Sequence, residues 1–229
     1  MTSNVAVIAG AGAGLSASLA RLLAGEGFHV ILAARDIEKL GDLQAETGAQ
    51  AVATDVSDPA SVGRLFEVAD KAGPLSLVVF NASGRARGAI AELDPEAVRQ
   101  ALLVGAYGGF LVGQQAARRL LAQGSGSIFF TGATASVKGF AGSAGFAMPK
   151  FGLRGLAQSM ARELAPKNIH VAHFIIDGAI ASAASGQPSG PPDRRLSPEA
   201  IAQAYLGIHR QHRSAWTWEL ELRPWVENF

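Results

Sequence analysis

The feature that most narrows the fold of this chain is an alternation. Short apolar runs alternate with longer amphipathic stretches along its whole length. NVAVIA is followed by glycines and then LSASLARLLAGEG, in which Leu15, Leu19, Leu22 and Leu23 fall on one helical face. FHVILAA, AQAVATD, LSLVVF, SGSIFFTG and IHVAHFII repeat the apolar run, and AWTWELEL reads as a final alternating strand. Asp58-Pro59, Asp94-Pro95 and Ser197-Pro198 each set a capping residue before a proline at the first helical position. DIEKLGDLQAETG reads as a polar-faced helix, and Asp94 opens a long helix toward Gln123. A further helix is expected over residues 145–165, with Pro149 tolerable only in its first turns. Strands that alternate with helices form a parallel sheet covered on both faces. The expected fold is therefore α/β: a doubly wound parallel sheet of about seven strands, with helices on both faces.

The 229 residues suit one sizeable core, so a single domain over 1–229 is expected, with the Gly/Pro/Ser stretch ASGQPSGPP inside a substrate loop near 181–196. With 20 basic and 19 acidic residues, net charge is +1, which favours neither nucleic acid nor an anionic membrane as a partner. There is no cysteine, which excludes disulfides and thiolate chemistry, and the scattered histidines do not suggest a metal site. MTSNVAVIAG has no basic region, and its apolar run is too short for a signal peptide or a membrane span. A cytoplasmic protein is expected.

The glycine-rich turn IAGAGAGLS joins the first strand to the first helix. Backbone that must approach a pyrophosphate needs glycine, and the helix N-terminus offers free N–H groups and a positive dipole end. Gly10, Gly12 and Gly14 are the candidates, with Leu15 and Ser16 opening the helix; Ser16 is small and can itself bond a phosphate. Such a turn also occurs with no ligand, but three further features favour a nucleotide. The second strand ends AAR, where a dinucleotide site reads the adenosine ribose. An acidic residue would chelate the ribose hydroxyls; Ala34 and Arg35 suit a 2′-phosphate instead, although a solvated arginine is the alternative. Asp55, beside Val56, is placed to accept from the adenine amino group, and Asn81, Ala82, Ser83 and Gly84 make a small-residue turn on the cofactor side of the sheet.

Together GAGAGLS, ATDVSD, FNASG, the F-x-x-x-K of Phe146 and Lys150, and DGAIAS resemble the short-chain dehydrogenase/reductase family, in order and spacing, over almost the whole chain. The resemblance implies a Rossmann-type fold, a nicotinamide cofactor, with NADP(H) preferred and NAD(H) possible on the strength of Arg35, and a homodimer or homotetramer. It also implies where the chemistry sits. Lys150 matches the family's lysine, which holds the nicotinamide ribose and lowers the pKa of a tyrosine. Phe146 stands in that tyrosine's place, Ala133 in the serine's and Gly105 in the asparagine's. Asp177-Gly178 replaces Pro-Gly, while Ile180 and Ser182 can still meet the nicotinamide end.

A benzene ring cannot relay a proton, so another source is needed. Asp177 is the better candidate acid, with a turn-forming aspartate as the plain alternative. Ser143 and Tyr107 are weaker candidates, and His173, inside an apolar strand, reads as a core residue. Arg194 and Arg195 can attract an anionic substrate or stand solvated. The expected function is an NADP(H)-dependent oxidoreductase of a small carbonyl, alcohol or activated alkene. The alternative is a nucleotide-binding protein without turnover, as a cofactor sensor or structural subunit.

Overall fold

The computed structural model describes residues 3–181 and 193–226. Its strands are β1 (Val5–Ala9), β2 (His29–Ala34), β3 (Gln50–Ala53), β4 (Leu75–Phe80), β5 (Gly126–Thr131), β6 (Ile169–Ile176) and β7 (Glu219–Leu222). They form one sheet in the order β3-β2-β1-β4-β5-β6-β7, and every pairing is parallel. The helices are α1 (Leu15–Gly25), α2 (Gly41–Thr47), α3 (Pro59–Ala72), α4 (Pro95–Leu102), α5 (Gly108–Gln123), α6 (Ala144–Leu164) and α7 (Pro198–His209). This is the doubly wound architecture expected from the alternation.

Two cores flank the sheet, and the pleat divides each strand between them. Val5, Val7 and Ala9 of β1 pack with Phe66 of α3, Val112 of α5 and Leu153 of α6. Ala6 and Ile8, between them, pack with Leu19 of α1, Leu43 of α2 and Tyr205 of α7. The capping residues behave as their chemistry dictates. Asp58 accepts from the N–H groups of Ala60 and Ser61, Asp94 from those of Glu96 and Ala97, and Ser197 from that of Ala200.

Two elements differ from the reading of the sequence. The long helix from Asp94 is interrupted by a wide turn of π type, Leu103–Tyr107, which carries Gly105. That turn lies against α6: a Cβ at Gly105 would stand 2.8 Å from Cβ of Pro149. The final strand is also only half as long as AWTWELEL suggests. Trp216 stacks on His170 at 4.6 Å instead, and the Gln211 side chain accepts from the Thr217 N–H and donates to its hydroxyl oxygen. Local hydrogen bonds there replace the sheet ladder. Pro149 sits in the second turn of α6, where its missing N–H leaves the Gly145 carbonyl without a helical partner.

Strand order reverses between β1 and β4, and in such sheets a crevice opens at the carboxyl ends of the strands. Everything functional below sits there.

Candidate active site

Two adjoining clefts, of about 850 and about 560 Å³, run along this crevice and share Asn81, Ser83 and Arg85. The smaller begins at the glycine turn. Gly10 has φ of +93°, and a Cβ on it would lie 2.3 Å from the Ala82 nitrogen, so no other residue fits. Its N–H and that of Ala11 both donate to the Ala33 carbonyl, at 2.9 Å each. Gly12 and Gly14 differ: where their Cβ atoms would sit there is open space, facing the clefts. Gly14 begins α1 with no side-chain cap and no acid in the first turn, so the first amides of the helix remain open to an anion. That cradle fits a pyrophosphate.

Ser16 does not join it. Its side chain is 1% exposed, its hydroxyl donates to the Gly10 carbonyl at 3.0 Å, and it accepts from Nδ2 of Asn81 at 2.7 Å. With its one proton committed inside, Ser16 braces the glycine turn against the end of β4 rather than reaching a phosphate. Leu15 lines the larger cleft.

Farther along, Arg35, Asp55, Val56 and Ala82 line the smaller cleft. The hydroxyl and amide of Ser57 hold the Asp55 carboxyl below its ordinary value. Lys39 lines the cleft beside Arg35, an addition the sequence reading did not make; it pairs with Asp36 at 2.8 Å. Gly84 lines neither cleft. A Cβ on it would meet Cα of Ala101 at 2.6 Å, so this glycine admits α4.

The larger cleft is built from the end of β5 and the start of α6. Phe146 and Lys150, one helical turn apart, both line it, as does Ala133. Phe146 packs with Ala133, Ala135 and Ala147 in a small apolar cluster. Lys150 is 4% exposed, and its Nζ donates to the Thr131 carbonyl at 2.7 Å. Burial, helped by the nearby Arg85 cation, pushes its pKa down to about 8. Arg85 and Arg87 also line this cleft, and the Arg85 guanidinium lies 4.8 Å from the Phe146 ring centroid. The sequence reading passed over both arginines, although RAR directly follows the NASG turn.

The other candidate proton donors are placed elsewhere. Asp177 lines neither cleft; it accepts a hydrogen bond from the Thr134 hydroxyl and pairs with Arg223 at 2.5 Å. An arginine partner beside it is an arrangement unlike the unpaired, desolvated acid expected from the sequence. Neither of the chain's two tyrosines reaches the site. Tyr107 is exposed and stacked on Phe110, and Tyr205 is buried against Thr131. Ser143 lines the larger cleft, but its hydroxyl donates to the Phe140 carbonyl at 2.7 Å. His173 is fully buried, with Nδ1 3.0 Å from Glu219, and burial pushes its pKa down to about 4.

Gly178 and Ile180 line the larger cleft, and a bridge pairs Ile180 with Leu196. Ser182 and most of the expected substrate loop lie outside the described residues. Arg194 and Arg195 are not among the residues lining either cleft.

A glycine cradle at a helix N-terminus, set at the switch point of a doubly wound sheet, defines a dinucleotide-binding class of protein. The chain belongs to the short chain dehydrogenase family, whose sequence profile matches residues 4–187. It is similar to a short-chain dehydrogenase from Rhodopseudomonas palustris of known structure, at 40% identity and a TM-score of 0.84, covering 97% of this chain and 99% of that one. It is also similar to the trans-4-hydroxycyclohexanecarboxylate dehydrogenase of Sinomonas cyclohexanicum, 32% identical over 186 residues, which are 75% of this chain and 70% of the relative. An alcohol dehydrogenase from the archaeon Thermococcus sibiricus, crystallised with 5-hydroxy-NADP, shares the fold at 24% identity and a TM-score of 0.85, over 99% of this chain and 98% of its own.

Proposed function

We propose that this protein is an NADP(H)-dependent oxidoreductase of small carbonyl compounds, alcohols or activated alkenes, an atypical family member in which Lys150 replaces tyrosine as proton donor. One observation carries the reading. The clefts join an intact nucleotide cradle to a reacting end whose only titratable side chains, among the described lining residues, are Lys150, Arg85 and Arg87. Arginine does not give up its proton at these pH values, which leaves the lysine.

The residues present fit the cofactor. Gly12, Gly14 and the open amides of α1 would hold its pyrophosphate, Arg35 and Lys39 its 2′-phosphate, and Asp55 its adenine amino group. Bound there, the cofactor supplies or accepts a hydride at its nicotinamide. Lys150 then does two things. The Thr131 carbonyl fixes its ammonium through one N–H, and the other two remain for the ribose and for a substrate oxygen. Its lowered pKa suits proton donation near neutrality. Phe146 and Ala133 supply no hydroxyl, so the carbonyl is less well oriented than where serine and tyrosine stand. An alkene conjugated to a carbonyl tolerates this best, because hydride reaches the β-carbon before the proton is needed.

The test follows NADPH oxidation with ketones, diketones and enones in wild type and in Lys150→Arg, from about pH 6 to about pH 10. Reduction needs protonated Lys150, so the rate is expected to fall above about pH 8. Arginine keeps the charge but not the acid, and should cost roughly 10²–10⁴ in rate. A flat pH profile that survives Lys150→Arg would remove lysine from the mechanism. Tight NADPH binding with no turnover on any substrate would favour the cofactor-sensing reading.

We also propose a homodimer or homotetramer. The glycines of α5 pack within the subunit, where a Cβ on Gly109 would meet Leu153 and one on Gly113 would meet Met160. What projects outward is Tyr107, Phe110, Met148 and Phe151, each 40–51% exposed on neighbouring helices. Exposed apolar side chains clustered this way mark an interface. Light scattering at micromolar concentration should give a multiple of 23.7 kDa; the mass of a single chain would refute assembly.

A further inference from the structure

The larger cleft is positively charged beyond the needs of proton transfer. Arg85, Arg87 and Lys150 all line it, and no aspartate or glutamate does so among the described residues. Arg85 and Lys150 share the Phe146 ring, at 4.8 and 5.9 Å from its centroid. Several arginines elsewhere on the surface are neutralised by carboxylates. Arg99 pairs with Glu96, Arg119 with Asp70 and Arg154 with Glu219. Among the described residues, neither Arg85 nor Arg87 pairs with any carboxylate.

Cations gathered without counter-charge repel one another, and an anionic ligand relieves that repulsion. Guanidinium is also the group whose planar fork binds a carboxylate in a fixed orientation. Orientation is what this site otherwise lacks, since no hydroxyl at position 133 or 146 aligns a carbonyl. A clamp on a remote part of the substrate can place the reacting carbon instead. The nucleotide competes for Arg85, which lines both clefts, but Arg87 lines only the larger one.

We propose that Arg85 and Arg87 form a carboxylate subsite beside Phe146, so that the substrate is a keto acid or a hydroxy acid. The inference rests on the oxidoreductase reading above and names the substrate class for the same site.

The experiment titrates levulinate and its methyl ester into the whole protein, with and without saturating NADPH, in wild type, Arg87→Gln and Arg85→Gln. The NADPH dissociation constant is measured separately for each. A charge-assisted fork should make the acid bind at least about tenfold tighter than the ester. Arg87→Gln should erase that preference while leaving NADPH affinity within about twofold, because Arg87 faces only the larger cleft. Arg87 is exposed, so the variant should melt as wild type does. An ester that binds as well as the acid, or a preference that survives both substitutions, overturns the subsite. Failure of NADPH itself to bind would instead sink the cofactor reading, and the titration without NADPH would still decide the subsite by the same comparison.

Discussion

The two ends of the crevice are built differently. At the nucleotide end the cradle is made of backbone: open amides, glycines without side chains, and a turn braced by Ser16 and Asn81. At the reacting end side chains wall the cleft, and there positions 133 and 146 carry no hydroxyl while three cations line it. Backbone sites are hard to change without losing the fold, because each atom also closes a turn or a sheet. Side-chain sites change one residue at a time. Such a division lets the reacting end vary while the nucleotide cradle stays the same.

Breaking the backbone end should have the largest effect. Gly10→Ala places a Cβ 2.3 Å from the Ala82 nitrogen, at φ of +93°. Strain and clash together should cost about 4 kcal/mol or more, read as a lower urea midpoint and a lost NADPH complex. A variant as stable as wild type would mean that the turn is far more pliable than it looks.

Smaller effects are expected from the side chains at that same end. Arg35, with no acid at Ala34, should make NADPH bind roughly tenfold or more tighter than NADH, as about 1.5–3 kcal/mol of charge-assisted contact allows. Arg35→Ala should abolish the preference and leave NADH affinity unchanged. Equal constants for the two cofactors in wild type would show that Arg35 is a solvated arginine.

The smallest change sharpens the reacting end. Phe146→Tyr sets a phenol one helical turn from Lys150, whose cation should depress the phenol pKa, and Ala133→Ser restores a second hydroxyl. The double variant should reduce simple ketones about tenfold faster than wild type, a fraction of what general acid catalysis supplies. High ketone turnover in wild type that Phe146→Tyr lowers would show that the lysine route outperforms the phenol. Gly105→Asn does not belong in this series, since Pro149 occupies the space its side chain would need.

Much of this was open to inspection in the chain itself. Alternating apolar and amphipathic periods fixed strands, helices and a parallel sheet, because those periods are local. Proline after Asp or Ser marked three helix starts for the same reason. Phe146 and Lys150 meet because they are four residues apart on one helix, a distance that any reader of the sequence can convert into a turn. Gly10 was singled out as well, for close approach to a pyrophosphate, but its positive φ and the nearby Ala82 backbone are what require glycine there.

Long-range contacts decided the rest. Ser16 looked free for a phosphate until Asn81, 65 residues away, was seen to hold its hydroxyl. Asp177 looked like a buried acid, and only the return of the chain to Arg223 showed it paired. Gly105 read as the place of the family's asparagine and Gly84 as part of a cofactor turn, yet their missing side chains admit Pro149 and Ala101. Arg85 and Arg87 carried no signal as loop arginines, until the fold laid one of them over Phe146 and set both in a cleft without acids. A period of two or of four residues is written in neighbouring letters. The partner that satisfies a hydroxyl, a carboxylate or a guanidinium is chosen by packing across the sheet, and the chain order does not contain it.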